Sequence, residues 1–591
     1  MKNMEQRLTP EDKSFLEDIY APIPVAIQPE DTWQGLCVTE SGQIRHYGSM
    51  HKPSVDQQGE RCYLASEDCG LSWKLHRKGS DREIETAVQD PRRGTWISIV
   101  GPNHFPQPPQ KDFRTLYCLV SAHGPGDTEY DAFPMKSPCS WPVVNQRTPL
   151  FLRNRDRVLL PAQCDDNTGG FPVVYRSDDG GRSWECAMLD PVPPHEAIPP
   201  HCHVRWQNTG VEATIAEQKD GSLLLLARTS QDFHYMSRSF DGGETWTKLT
   251  PSPFHGTLTM PTLFPLSDGR LLLFWCNTSP LPEEDITDRL EKGELGAAEQ
   301  TGKSEDVFTN RDVCHAAISE DDGKTWIGFR EIYLFHLRNE EDYRAVGGAF
   351  SSRDKSVLLF QALELPLGKV LLALGQHQSS RIMVIFDPEW LYETDRKEEF
   401  QAGLTGISTH TYYKSVSGGY RAPSAGHCSW NRRSGAVLLP DPLAFRQEAL
   451  FFCRIPDPRL VSDTQGAVWN FPLSRKGKVT VRLFIPGKGL RLSLSDHWFN
   501  PIDEYAALHA PVTLPLEPET LPGVRDGYGD LTMEFDTDAR AVQVLWNGKF
   551  HSQTEITDLP PFGLCYLHLQ TLPGTDKQGT YVKYLKKEAL S

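Results

Sequence analysis

The chain has 591 residues, 13 cysteines and a formal net charge of −17. That length exceeds one ordinary core and predicts two domains, while the acidic balance argues against non-specific nucleic-acid binding and against anionic membranes, leaving small ligands as the expected partners. No apolar run approaches the length of a membrane-crossing helix, nothing apolar follows Met1-Lys-Asn-Met-Glu-Gln-Arg7, and the scattered cysteines include no C-x-x-C pair; the expectation is a cytoplasmic chain with reduced thiols, unless an export segment has been trimmed away, and neither a disulfide frame nor a zinc site.

In chain order, Thr9-Pro10-Glu11-Asp12 offers an N-cap followed by proline at the first helical position. It predicts a short helix through Phe15 and Leu16, a lid or brace within an N-terminal extension, 1–29. Six strand-rich segments follow, 33–73, 83–122, 148–184, 212–246, 261–326 and 343–386, each broken by Gly, Asp and Pro signals. The segment 403–456 adds strand-like runs that would close a ring or supply a seventh unit. Within the fifth segment, 283–310 is charged and helix-forming in composition, a loop that roofs a pocket or is a solvated flap. From Val468 onward the pattern alternates strictly, as in Lys478-Val-Thr-Val-Arg-Leu-Phe484, Leu490-Arg-Leu-Ser-Leu494, Leu531-Thr-Met-Glu-Phe535 and Ala541-Val-Gln-Val-Leu-Trp546. Half-buried antiparallel strands alternate this way, so 465–591 reads as a β-sandwich in which Trp498, Phe499 and Trp546 are core rather than sugar platforms.

Four segments end in one motif: Ser66-Glu-Asp68-Cys-Gly70-Leu-Ser72-Trp73, Ser177-Asp-Asp179-Gly-Gly181-Arg-Ser183-Trp184, Ser239-Phe-Asp241-Gly-Gly243-Glu-Thr245-Trp246 and Ser319-Glu-Asp321-Asp-Gly323-Lys-Thr325-Trp326. Asp supplies carboxylate-to-backbone hydrogen bonds, Gly supplies positive φ, and Trp folds back over the turn, so each copy is a rigid hairpin tip. The carboxylates are too few for a calcium cage. The pattern resembles the Asp-box of the sialidase-type β-propellers. That resemblance implies an all-β fold, a six-bladed (or seven-bladed) propeller over 30–460 with each box joining the two outer strands of a blade, followed by a sandwich similar to lectin or laminin-G modules. The interval from Asp68 to Asp179 leaves room for one blade without a box.

Antiparallel strands reverse direction each time, so one end of every blade carries the boxes and the other gathers the starts of first strands and the ends of second strands. Glu212 and Arg228 therefore share that other end, with His51, Asp56, Arg311 and Tyr343 on loops around it, where a small polar ligand would bind. These positions are similar to those of the exo-sialidases. The resemblance implies a Tyr343 nucleophile polarised by Glu212, an Arg228 and Arg311 clamp on a substrate carboxylate, and Asp56 as the acid. A sugar with a carboxylate beside its anomeric carbon repels a carboxylate nucleophile, which favours a neutral tyrosine, and guanidinium forks bind carboxylates in a way lysine cannot copy.

Two departures keep alternatives open. Sialidases open the first blade with an arginine, whereas Asp31-Thr-Trp33-Gln34-Gly-Leu36 has none, and the residues after Tyr343 differ from the family pattern. Tyr343 also reads as blade packing, Glu212 as a rim carboxylate paired with Arg228, and Arg311 as a surface charge. His51 with Arg228 would suit a lyase acting on uronic-acid glycans, and a propeller that only binds acidic glycans fits as well. The expected partner is an acidic oligosaccharide or glycoconjugate; no cofactor or metal motif is present, since no Gly-rich loop precedes a helix.

Overall fold

The structure is a computed structural model that describes residues 2–27, 35–48, 55–105, 115–137, 142–143, 148–166, 169–196, 208–279, 311, 313–335, 339, 357–358, 360–375, 381–412, 432–433, 435–458, 460 and 462–590. Among these, six antiparallel sheets follow one another as propeller blades. Blade one is Leu36–Val38, Ile44–His46, Cys62–Ser66 and Lys74–Arg77, and blade two is Val88–Gln89, Trp96–Val100, Leu116–Ser121 and Tyr130–Met135. Blade three has Pro142–Val143 and Leu150–Phe151 beside Val158–Asp166, then Gly169–Ser177 and Glu185–Met188. Blade four is Thr209–Glu217, Leu223–Thr229, Phe233–Ser239 and Thr250–His255; blade five is Thr262–Pro265, Leu271–Trp275, Val313–Ser319 and Ile327–Leu334. Blade six brings Gln361–Glu364, Val370–Leu374 and Ile382–Phe386. Leu36, Val88, Phe264 and Gln361, all on first strands, line one cavity of about 530 Å³, so the blades radiate from a common axis.

Facing blades close on each other. Leu159 and Val174 of blade three pack with Ala213, Ile215, Leu223 and Leu225 of blade four, and Leu272 and Ile318 of blade five pack with Leu372 and Val384 of blade six. With both faces covered, Leu223–Thr229 is buried throughout and reads as an unbroken apolar run instead of alternating. Burial of each of its leucines contributes ~2 kcal/mol.

Ring closure differs from the sequence expectation. Ile23–Ala26, inside what reads as the N-terminal extension, pairs with Ile382–Phe386, Ile23 opposite Ile385, and becomes the fourth strand of blade six. Among its described residues the sixth segment supplies three strands, and without this partner Ile382–Phe386 would present an open edge. Among the described residues the runs in 403–456 build no blade: Thr411–Tyr412 pairs with Arg432–Arg433, and Val437–Pro440 pairs with Glu448–Arg454 in a C-terminal sheet. The helix expected at the N-terminus is Pro10–Asp18, with Thr9 and Asp12 in a reciprocal capping box. It braces the ring, since Leu16 is buried against blades one and six and Lys369 Nζ donates to the Ile19 carbonyl.

Each Asp-box joins the third and fourth strands of its blade, in blades one, three, four and five. In the second box Ser177 Oγ donates to Asp179 at 2.8 Å, Gly181 N–H to Ser177 Oγ at 2.8 Å, Ser183 N–H to Asp179 at 2.9 Å and Trp184 Nε1 to the Gly181 carbonyl at 2.9 Å. The first and fourth boxes repeat the tryptophan bond; in the third, Trp246 Nε1 is buried without a partner.

C-terminal to the ring, Gly466–Ser474, Leu564–Thr571, Leu490–Ser495 and Val512–Leu516 form one sheet. A larger one is centred on Lys476–Phe484, Gly529–Asp536 and Asp576–Glu588. Trp469, Phe471, Val481, Leu492 and Phe535 fill the space between them, and Trp498, Phe499 and Trp546 are buried as the alternation implies. One expectation about cysteines is corrected: Cys164, near the end of blade three's second strand, is disulfide-bonded. Spacing along a chain does not show which cysteines a propeller brings together.

Candidate functional site

At the end of blade four opposite its box, the backbone at Glu212 is left-handed, φ 48°, and the register with Leu223–Thr229 slips on both sides of Val211. A non-glycine residue held there stores about 1 kcal/mol or more, and such bulges re-aim a side chain. Here the bulge turns the Glu212 carboxylate onto Arg228, whose Nη1 donates to Oε2 at 2.8 Å; both side chains are buried. The Glu212 N–H is taken up by Gln163 Oε1 of blade three at 3.0 Å. Removing two charges from water costs several kcal/mol per ion, so neither tolerates loss of its partner.

Beside the pair runs the turn 256–259. Leu258, also left-handed at φ 53°, donates its N–H to the Thr229 carbonyl at 2.9 Å and accepts at its carbonyl from Arg311 Nη2. Arg311 is fully buried, not a surface charge, and flanks the same turn as Arg228. His234 Nε2 lies 2.9 Å from the Thr259 carbonyl; burial pushes its imidazole down to about 3, with the charges of His255 and Arg228 adding to it, so it is neutral at ordinary pH. A Cβ at Gly256 would come 2.4 Å from His234 Nε2, which leaves room only for glycine.

A second charged group completes this end on the far side of the ring. Arg381, immediately before the third strand of blade six, is buried within electrostatic reach of His46, the last residue of blade one's second strand, whose imidazole burial and the Arg381 charge push down to about 3. The sequence reading did not single out Arg381, although it stands just ahead of a third strand as Arg311 does in blade five.

Of the sequence candidates, Glu212 and Arg228 meet directly and Arg311 sits one turn away. Asp56 does not join them. Its carboxylate caps its own turn, accepting from Gln58 and Glu60 N–H at 2.9 and 3.0 Å, and pairs with Arg77 at 2.7 Å. Desolvation pushes its pKa up, but those backbone bonds and Arg77 outweigh it and hold the carboxyl below the usual range, which is the wrong direction for a proton donor. Tyr343, His51 and the 283–310 loop lie outside the described residues.

Residues 137–346 match the BNR repeat-like domain. Over that stretch the propeller is similar to BNR-repeat domains. No curated protein matches it. Among solved structures, a protein of unknown function from Dyadobacter fermentans is 16% identical with TM-score 0.36, covering 62% of this chain and 97% of that one. The sialidase of Trypanosoma rangeli, solved with 2,3-difluorosialic acid, is 11% identical with TM-score 0.34, covering 97% and 95%. The intramolecular trans-sialidase of Ruminococcus gnavus is 13% identical with TM-score 0.34, covering 62% and 97%. Likeness at that level does not speak to the chemistry of this protein, which has to come from its own side chains.

Proposed function

We propose that this protein is an exo-acting glycoside hydrolase that removes a terminal acidic sugar from an oligosaccharide or glycoconjugate. The observation that carries the reading is the buried Glu212–Arg228 pair on a strained bulge, with Arg311 against the adjoining turn. Strain and buried charge both cost stability, and a fold keeps them where they serve a ligand. Two guanidinium groups at one rim in a chain of net charge −17 suit a carboxylate-bearing sugar, and Arg381 is a third cation for the place where the first blade lacks one.

In this mechanism the substrate carboxylate draws on the positive charge of Arg228 that Glu212 otherwise neutralises. Glu212 is thereby released to take the phenol proton of Tyr343, whose oxygen bonds to the anomeric carbon as the glycosidic bond breaks and the departing oxygen takes a proton from solvent water. Water then cleaves the glycosyl–tyrosine bond and the product retains its configuration. Asp56 is not the donor, for the reason its turn gives.

The test is turnover of a fluorogenic α-linked sialoside beside a panel of uronic-acid-capped oligosaccharides, with Glu212→Gln alongside. Hydrolysis that falls at least about a hundredfold in the variant supports the reading. An unsaturated product would mark a lyase, binding without turnover would mark a glycan receptor, and full activity in Glu212→Gln would overturn the assigned base.

A further inference from the structure

The C-terminal sandwich sits against blades four and five. Val468, Trp498, Ile502 and Tyr566 pack with Phe254, Trp275, Trp326 and Phe329 in one buried cluster. The stretch 496–498 is pinned at this seam: Trp498 N–H donates to the Asn277 carbonyl at 3.0 Å, Ser279 N–H to the Trp498 carbonyl at 2.8 Å, and Asn277 Nδ2 to the Asp496 carbonyl at 2.8 Å. At its margin lies a cluster built from both domains. Asp496 Oδ1 is 2.7 Å from His497 Nδ1 and 3.5 Å from Nε2 of His255, the last residue of blade four's outer strand. The two imidazoles stack with centroids 3.7 Å apart at 25°, and one donor atom from each of the three residues lies within 4.8 Å of the others.

We propose that His255, Asp496 and His497 form a binding site for a first-row divalent cation of the zinc class, which fastens the sandwich to the fourth blade. The donor set decides the class: two imidazole nitrogens and one carboxylate oxygen suit Zn²⁺, whereas magnesium and calcium take oxygen. The spacing agrees. Bonds of about 2.0–2.1 Å in tetrahedral geometry set donors about 3.3 Å apart, between the two distances the cluster already shows, and the three side chains are only 14–17% exposed yet reachable by an ion. The donors are also held in place. The His255 ring lies 4.4 Å from Phe233 on one side and against His497 on the other, His497 N–H donates to Ser495 Oγ at 3.3 Å, and the Asp496 carbonyl accepts from Cys565 Sγ at 3.1 Å. Asp232, on the turn before Phe233–Ser239, adds a negative charge that reaches His497, and water completes the fourth position. The site stands independently of the glycosidase reading.

The experiment uses the full chain stripped with a chelator, then titrated with Zn²⁺ alone and, separately, with Co²⁺. The expected result is one Zn²⁺ per chain at micromolar affinity or tighter, a melting temperature at least about 3 °C higher, and the visible absorption of four-coordinate Co²⁺ in a nitrogen–oxygen site. His255→Gln and His497→Gln each abolish all three, while His76→Gln, exposed on blade one, changes none. The proposal is overturned if the wild-type chain binds no Zn²⁺ and shows no such Co²⁺ spectrum, or if both variants keep the wild-type stoichiometry and spectrum; where a variant fails to fold, the wild-type Co²⁺ spectrum alone decides.

Discussion

The two ends of the propeller use charge in opposite ways. At the box end, Asp68, Asp179, Asp241 and Asp321 are satisfied by their own hairpin, within four residues and beside water. At the other end three described groups are buried and answered from elsewhere: Glu212 by a different strand, Arg311 by the preceding blade's turn, His46 next to Arg381 across the ring closure. Local satisfaction makes a robust joint that tolerates repetition. Non-local satisfaction makes an end whose stability depends on several blades at once, and the proposed ligand site lies there.

The largest effect that would sharpen this contrast is at the buried pair. Arg228→Met should cost about 3–5 kcal/mol in denaturant unfolding because it leaves Glu212 charged and alone, and adding Glu212→Gln should recover most of it; additive costs would deny the coupling. Gly181→Ala is next, at about 2–3 kcal/mol, since φ is 88° and the new Cβ meets Cys118 Sγ at 2.7 Å. A loss below about 0.5 kcal/mol there would show that the box end is looser than its geometry.

Smaller still, Asp241→Ala should cost about 1–2 kcal/mol once solvent competition for the exposed turn is allowed for. The same carboxylate sets a pH window. Desolvation works against it, but Thr245 and Ser239 hydroxyls with the Thr245 and Glu244 N–H groups bring its pKa down to about 2, and Asp179 and Asp321 are lowered likewise. A carboxyl depressed on folding stabilises above its unfolded value and stops doing so as pH falls through the folded one. Stability should therefore decline from about pH 5 toward pH 2, and Asp241→Asn should flatten that decline; an unchanged acid limb would move its origin to the other end.

The contrast also explains what was legible. Box hairpins and the Thr9 cap rest on contacts a few residues apart, and each sandwich strand carries its own alternation although its partners lie far along the chain, so spacing and periodicity reveal them. Glu212 and Arg228 were placed together by strand alternation alone, which needs only the direction of the chain. The loop position of Asp56 says nothing of its pairing with Arg77, and spacing cannot find Arg381 because its neighbour His46 belongs to the first blade. His255 and Asp496 share no spacing at all; only docking of one domain on the other makes them neighbours.

Closure of the ring by Ile23–Ala26 has a consequence for biosynthesis. This strand is synthesised well before its partner, Ile382–Phe386. Through synthesis of five blades it stays unpaired, an apolar segment exposed to chaperones and to neighbouring nascent chains. Joining the first and last blades then completes the ring, so a chain interrupted before residue 382 is left as an open arc with that strand unpaired.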